Sequence, residues 1–267
     1  MELLKKHSHK ERMKIVKAVI PLLKRKFGNN LVALAATGSF ARAEDDDYSD
    51  LELLAFLREM RSEKEFEAVA KVYDGMLIEI YWTTEKKYLK SMDINEEWFL
   101  AGSETLYPIL NKAFIEKINE KLEKLKEAKD FGNKCLRYAA KHFKFEVQEA
   151  TSKVLNAINQ ENMENLPLLL FDMLLHMLKV LSFLNKTPYK TFSTFITQAK
   201  TFKLKPAHFD ELADMVINGK FRNLNRIRQL VEFVFSEFEE IFRDLGFQLP
   251  DDNFDPNIPT RDFISAN

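Results

Sequence analysis

LVALAATGSFARAEDDDYSDLELLAFL, residues 31–57, holds two apolar runs separated by a polar turn. The first, Leu31 to Ala36, is short, continuous and bounded by turn signals, as a buried strand is. Gly38-Ser39 follows at once, and Gly lets the chain bend sharply and another group approach closely. Ser39 is a good N-cap for a short helix over Phe40 to Glu44. A strand that turns into a helix N-terminus aims backbone N–H groups at one spot, an arrangement suited to phosphate. The second run, Asp50 to Leu57, reads as a strand. Its alternation puts Asp50 and Glu52 on one face, with α-carbons roughly 6.5–7 Å apart. Two carboxylates so spaced can share a divalent ion, and Mg²⁺ favours few carboxylates, waters and substrate phosphates. Taken singly, a Gly-Ser turn and a pair of acids at a strand start are commonplace. Their order, with ten residues between Ser39 and Asp50, is what carries information.

The whole chain, 267 residues, is long enough for two modest domains. A formal net charge of −1 gives no global attraction to nucleic acid or to an anionic membrane. Phe is abundant (23) and Gly scarce (7), which with many Leu, Lys and Glu suggests a largely helical chain. Cys135 is the only cysteine, so no intrachain disulfide forms, in keeping with a reducing, cytoplasmic setting. The first residues, MELLKKHSHKERMKIV, lack the apolar centre of a signal peptide. The apolar span Leu166 to Leu184 is interrupted by Asp172, His176 and Lys179 and reads as a buried bundle helix, not a membrane span.

Met13, Val16, Ile20, Leu23 and Phe27 recur at helical spacing over Lys10 to Phe27, with Pro21 as a candidate kink. His7 and His9 precede it in what reads as a frayed terminus. Beyond the central segment, Ser62 to Val72 suggests a short helix, Tyr73-Asp74-Gly75 a turn, and Met76 to Trp82 a third strand. On that strand Leu77, Glu79 and Tyr81 share a face. Glu79 is either on an exposed sheet face or a third acid facing Asp50 and Glu52, since burying a lone charge is costly. Glu85 to Leu100 is mixed helical sequence, and Thr105 to Leu110 suggests an edge strand, where Pro108 is tolerated. Ala113 to Lys126 is an amphipathic helix. A boundary near Ala128-Lys129-Asp130 divides the chain into domains 1–127 and 128–267. The second is expected to be a helix bundle: Phe131 to Ile158, Pro167 to Asn185, Tyr189 to Thr201, Pro206 to Ile217 and Leu224 to Leu245, then an extended tail from Pro250 with Pro256 and Pro259. Within the first of these helices Glu149 and Lys153 are four apart, hence neighbours on one face, which by itself is a surface ion pair. The expected fold class is therefore α+β: a small mixed sheet domain followed by an all-α bundle.

Gly38, Ser39, Arg42, Tyr48, Ser49, Asp50 and Glu52 resemble the signature of the nucleotidyltransferase superfamily that includes DNA polymerase β. Within it they are most similar to the kanamycin and lincosamide nucleotidyltransferase branch, with Ala41 standing where that branch often has Gly. The resemblance extends to Glu79 on the third strand and to Glu146-x-x-Glu149-x-x-x-Lys153, and so covers most of the chain. It implies that Asp50, Glu52 and Glu79 hold Mg²⁺. It further implies that Gly38, Ser39, Arg42, Ser49 and Lys153 contact the nucleotide and that Glu149, or failing it Glu146, is the general base. The implied reaction moves a nucleoside monophosphate from ATP or another NTP to a hydroxyl of a small molecule, an aminoglycoside- or lincosamide-like antibiotic, in a homodimer. Glu44 to Asp47, Glu96, Glu97 and Glu104 are candidates for a pocket that suits a cationic acceptor. The alternatives are a nucleotidyltransferase of toxin–antitoxin type that AMPylates a protein, and a catalytically silent nucleotide-binding protein on the same fold. Arg137 and His142 also have the Arg-x₄-His spacing found in HEPN ribonucleases.

Overall fold

The computed structural model describes residues 3–95, 97–100 and 106–251. Glu96, Glu104, Pro256 and Pro259 lie outside them. The chain forms two compact units, Met1–Phe131 and Gly132–Asn267.

The first unit is a five-stranded mixed sheet with helices on both faces. α1 (His9–Phe27) opens it and runs unbroken through Pro21. Its start is fixed by a capping box. Ser8 N–H donates to Glu11 Oε2 (2.7 Å), and Glu11 N–H donates back to Ser8 Oγ (3.4 Å). β1 (Leu31–Thr37), α2 (Gly38–Ala41) and β2 (Leu51–Leu57) follow, then β3 (Glu67–Tyr73), β4 (Met76–Thr84), α3 (Glu85–Ser91), β5 (Tyr107–Leu110) and α4 (Lys112–Lys126). The strand order is β3-β4-β2-β1-β5. β2 and β4 are parallel, and the other pairs are antiparallel.

Strand alternation divides the apolar side chains between two cores. Leu34, Ala36, Leu51, Leu53, Ala55, Met76 and Ile78 pack against Val16, Val19 and Leu23 of α1. Ala33, Ala35, Leu54 and Phe56 pack against Tyr88 of α3 and Ile115, Ile118 and Leu122 of α4. β5 sits at the sheet edge, the place Pro108 requires.

Three local expectations are corrected. Ser62 to Val72 is not a helix: its second half is β3, an antiparallel partner of β4 from Glu67↔Trp82 to Tyr73↔Met76. Asp74 and Gly75 both have positive φ (48° and 74°), the backbone a two-residue hairpin turn needs, so the turn dictates the strand before it. Ser39 is not the N-cap. Gly38 adopts φ 68° and begins the helix two residues earlier than expected, after Thr37. The N-terminal segment is pinned and not frayed. Lys5 N–H donates to Gly75 O (3.0 Å) and His7 N–H to Asp47 O (2.7 Å), while His9 stacks on Phe40 with ring centroids 4.4 Å apart.

The second unit is helical: α5 (Lys129–His142), a π-helical turn at Phe143–Val147, α6 (Gln148–Asn159), α7 (Leu166–Leu184), α8 (Phe195–Ala199), α9 (Phe209–Ile217) and α10 (Leu224–Asp244). The expected helix over Tyr189 to Thr201 shortens to α8 behind a 3₁₀ turn at Phe192–Thr194. α7 is long and apolar enough to cross a bilayer, with mean hydropathy 1.7, yet eleven of its side chains are buried within the fold. Leu174 is fully enclosed. Leu174→Ala is therefore expected to destabilise the protein by about 2–5 kcal/mol, read from the shift of the chemical-denaturation midpoint.

Candidate active site

Three carboxylates share one face at one end of the sheet in the first unit. Glu52 lies directly opposite Thr37 of β1 and, in the parallel pair, opposite Glu79 of β4. Asp50 precedes β2 by one residue, and alternation turns it to the face of Glu52. The arrangement is electrostatically costly. The Glu52 carboxyl is pushed up to about 7, first by burial and then by the charges of Asp50 and Glu79, with Arg42 acting the other way. Tyr81 lies two residues beyond Glu79 on the same face. Its phenol is pushed up to about 12, chiefly by burial and the charges of Glu79 and Glu52.

Gly38, the first residue of α2, closes the site just beyond β1. A Cβ added there would stand 1.9 Å from Glu52 Oε2, so the absence of a side chain is what admits the carboxylate. Ser39 is partly buried, and its carbonyl accepts from Arg42 N (3.2 Å) and Glu44 N (3.0 Å). Arg42 Nε donates to Glu44 Oε2 (2.8 Å). Ser49 shapes the turn before Asp50: its Oγ accepts from Asp46 N (2.9 Å) and its N–H donates to Asp46 O (3.0 Å).

Among the described residues no three His, Cys, Asp or Glu side chains converge enough to hold a metal by themselves. The donor set of Asp50, Glu52 and Glu79 is all hard oxygen. Acids that share a face, with the buried Glu52 carboxyl raised by its neighbours, fit a small divalent cation that also takes oxygens from water and phosphate.

Beside the carboxylates opens a cavity of about 440 Å³. Its aromatic wall is Phe66, Tyr81, Tyr88 and Trp98, and Glu65, Asp93 and Glu97 join Glu52 in its lining. Glu97 was an expected pocket acid; the others come from bends and turns that sequence patterning does not position. The expected pocket acids Glu44, Asp45 and Asp47 are neutralised instead, by Arg42, by buried Arg12 and by Lys6.

Glu149 and Lys153 lie in the second unit, on α6. They pair with each other at 2.7 Å, both more than half exposed. The hydrogen bond from Lys153 holds the Glu149 carboxyl below its ordinary range. Glu146 is exposed on the π-helical turn. His142 stands against His176. Its Nε2 is 3.0 Å from His176 Nδ1, and burial with the charges of Lys179 and His176 holds its imidazole down to about 3.

Sequence reasoning missed Arg12, which is fully buried beneath the loop leading to Asp50. It placed Tyr81 on the face of Glu79 but gave it no role.

Residues 112–248 match the family model described as the KNTase C-terminal domain. Over 237 residues the chain is 20% identical to an aminoglycoside nucleotidyltransferase (4') of a Bacillus species, spanning 87% of this chain and 90% of that protein. It is 21% identical to an aminoglycoside nucleotidyltransferase (4') of Staphylococcus aureus over the same spans. A solved nucleotidyltransferase-like protein from Exiguobacterium sibiricum is similar with a TM-score of 0.49 and 11% identity, covering 86% of this chain and 75% of that one. The chain belongs to the KNTase C-terminal domain family and is similar along most of its length to aminoglycoside nucleotidyltransferases.

Proposed function

We propose that this protein transfers a nucleoside monophosphate from ATP or another NTP to a hydroxyl of a small molecule, an aminoglycoside- or lincosamide-like antibiotic. The observation that carries the reading is the register pair Glu52–Glu79 with Asp50 beside it, crowded against Gly38. Acids this unfavourable to one another are retained where a cation and phosphates will meet them. Family membership and two relatives named as aminoglycoside nucleotidyltransferases support it independently.

Asp50, Glu52 and Glu79 would hold Mg²⁺. Bound there, Mg²⁺ neutralises charge on the α-phosphate and the departing pyrophosphate. The first-turn N–H groups of Gly38 and Ser39, which a helix leaves without intrahelical partners, together with Arg42 would bind the outer phosphates. Ser49 would hold the turn that aims Asp50. Glu149 would take the proton of the attacking hydroxyl, and Lys153 would contact phosphate. In that role Glu149 must exchange Lys153 for the substrate, because a carboxylate held low is a poor base. The cavity's aromatic wall and its acids support a cationic, ring-bearing acceptor. The reading carries with it a catalytic domain 1–127 and a helical domain 128–267, a homodimer, and a cytoplasmic setting in keeping with the lone buried Cys135.

The test is pyrophosphate release from ATP and GTP with Mg²⁺ against a panel of aminoglycosides and lincosamides. Asp50→Asn is expected to lower kcat/KM more than about 100-fold, roughly 3 kcal/mol of transition-state stabilisation. Acceptor-independent nucleotide binding with no turnover on the panel would redirect the search to protein acceptors. Absence of Mg²⁺-dependent nucleotide binding would remove the proposal.

A further inference from the structure

The loop that carries Asp50 into β2 is organised by one side chain from the first turn and a half of α1. Arg12 is fully buried, and every N–H of its guanidinium is used. Nε and Nη2 both donate to Ser49 O (3.1 and 2.7 Å). Nη2 also donates to Asp46 O (2.7 Å), with Asp47 O at 3.4 Å. Nη1 donates to His7 O (2.8 Å) and to Asp45 Oδ2 (2.9 Å). The Asp45 carboxylate is itself only 2% exposed and takes a second contact from His9 Nδ1 at 2.7 Å.

We infer that Arg12 is the positioning residue of this site: by gripping the Ser49 carbonyl it fixes the peptide plane from which Asp50 departs, and so the direction of the metal-binding carboxylate. The inference rests on the nucleotidyltransferase reading above. A counterion for Asp45 would need only one or two of these bonds. Only one of the six contacts is to Asp45; the other five are to backbone oxygens, and the fork that grips Ser49 O is the last contact before Asp50. A guanidinium can make this set because its donors are planar and diverge. An ammonium, a point charge on one nitrogen, cannot span it. The grip is reinforced from outside the loop. The capping box sets where α1 begins, and His7 N–H ties the N-terminal segment to Asp47 O, so Arg12 reaches the loop from a fixed base.

The experiment compares the full-length wild type with Arg12→Lys, which keeps a charge opposite Asp45, and with Arg12→Gln/Asp45→Asn, which removes both buried charges together. Folding is followed by circular dichroism. Mn²⁺ binding in the presence of a non-hydrolysable ATP analogue is followed by the paramagnetic resonance of free Mn²⁺. Kinetics supply the Mg²⁺ dependence and the acceptor KM. In folded variants the Mn²⁺ dissociation constant and the half-saturating Mg²⁺ are expected to rise about 10- to 100-fold. The acceptor KM is expected to stay within about twofold, since a loss of uniform binding to the acceptor is not involved. Variants that fold and bind Mn²⁺ as wild type does would overturn the inference, leaving Arg12 as a counterion. Failure of both variants to fold would also overturn it, assigning the residue to the stability of the unit. A wild type that binds no Mn²⁺–nucleotide would instead remove the underlying reading.

Discussion

Glu52→Gln is expected to abolish nucleotidyl transfer while stabilising the protein above pH 7. The carboxyl has its ordinary value of 4.5 in the unfolded chain and about 7 in the fold, raised by burial, then by Asp50 and Glu79. Below pH 4.5 both states hold the proton and the site costs nothing. Between 4.5 and 7 the unfolded chain has lost the proton that the fold still binds, so stability falls as pH rises. Above 7 the fold carries the whole penalty, on the order of 3 kcal/mol. Gln has no proton to lose. Its gain in melting temperature is therefore expected at pH 8, to shrink toward pH 5 and to vanish near pH 4. In the wild type the rate at limiting Mg²⁺ should rise with pH through about 7, and its midpoint should move down as Mg²⁺ is raised, because the ion binds only the ionised carboxylate. A Gln variant with wild-type stability at pH 8 would show that the acids do not strain the fold. Thermal melts across pH read this directly.

Gly38→Ala is expected to cost far more activity than stability. The backbone at Gly38 has φ 68°, which an L side chain adopts at about 1–2 kcal/mol. The new methyl would stand 1.9 Å from Glu52 Oε2, so the carboxylate must move. It is the far end of a flexible side chain and can swing away cheaply, which leaves the fold largely intact and the acid out of place. Turnover is expected to fall at least about 100-fold, with a stability loss of only about 1–2 kcal/mol. The two substitutions act through one group, so the double variant should be no less active than Glu52→Gln alone. Additive losses would show that Gly38 acts apart from Glu52.

The parts of this site that were legible lie where local pattern and tertiary role coincide. LVALAA and DLELLAFL are short apolar runs that terminate as strands do whatever surrounds them. Their alternation placed Asp50 with Glu52, and that of β4 placed Glu79 with Tyr81. α7 announced itself as a core helix by an apolar face too wide for a surface helix. β3 was hidden because edge strands carry charge, and Glu63, Lys64, Glu65, Glu67 and Lys71 gave it a helix-like composition. Asp74-Gly75 was the better guide to it. Arg12 was hidden because all its partners but His7 stand 33 to 37 residues away, and nothing within a turn of α1 marks it as buried. For the same reason Asp45 read as one of the acids open to a cationic acceptor, although it is enclosed with Arg12. The N-cap was misplaced by two residues, at Ser39 instead of Thr37, because a left-handed glycine starts the helix without a side-chain cap.

The most direct test of the account is the mass of the acceptor. Purified protein would be incubated with ATP, Mg²⁺ and each aminoglycoside and lincosamide in turn, and the small molecules weighed by mass spectrometry, with Asp50→Asn in parallel. The account predicts an acceptor heavier by one nucleoside monophosphate, with pyrophosphate released in equal amount, from the wild type alone. The same adduct from Asp50→Asn, or an acceptor that gains phosphate instead of a nucleotide, would contradict it.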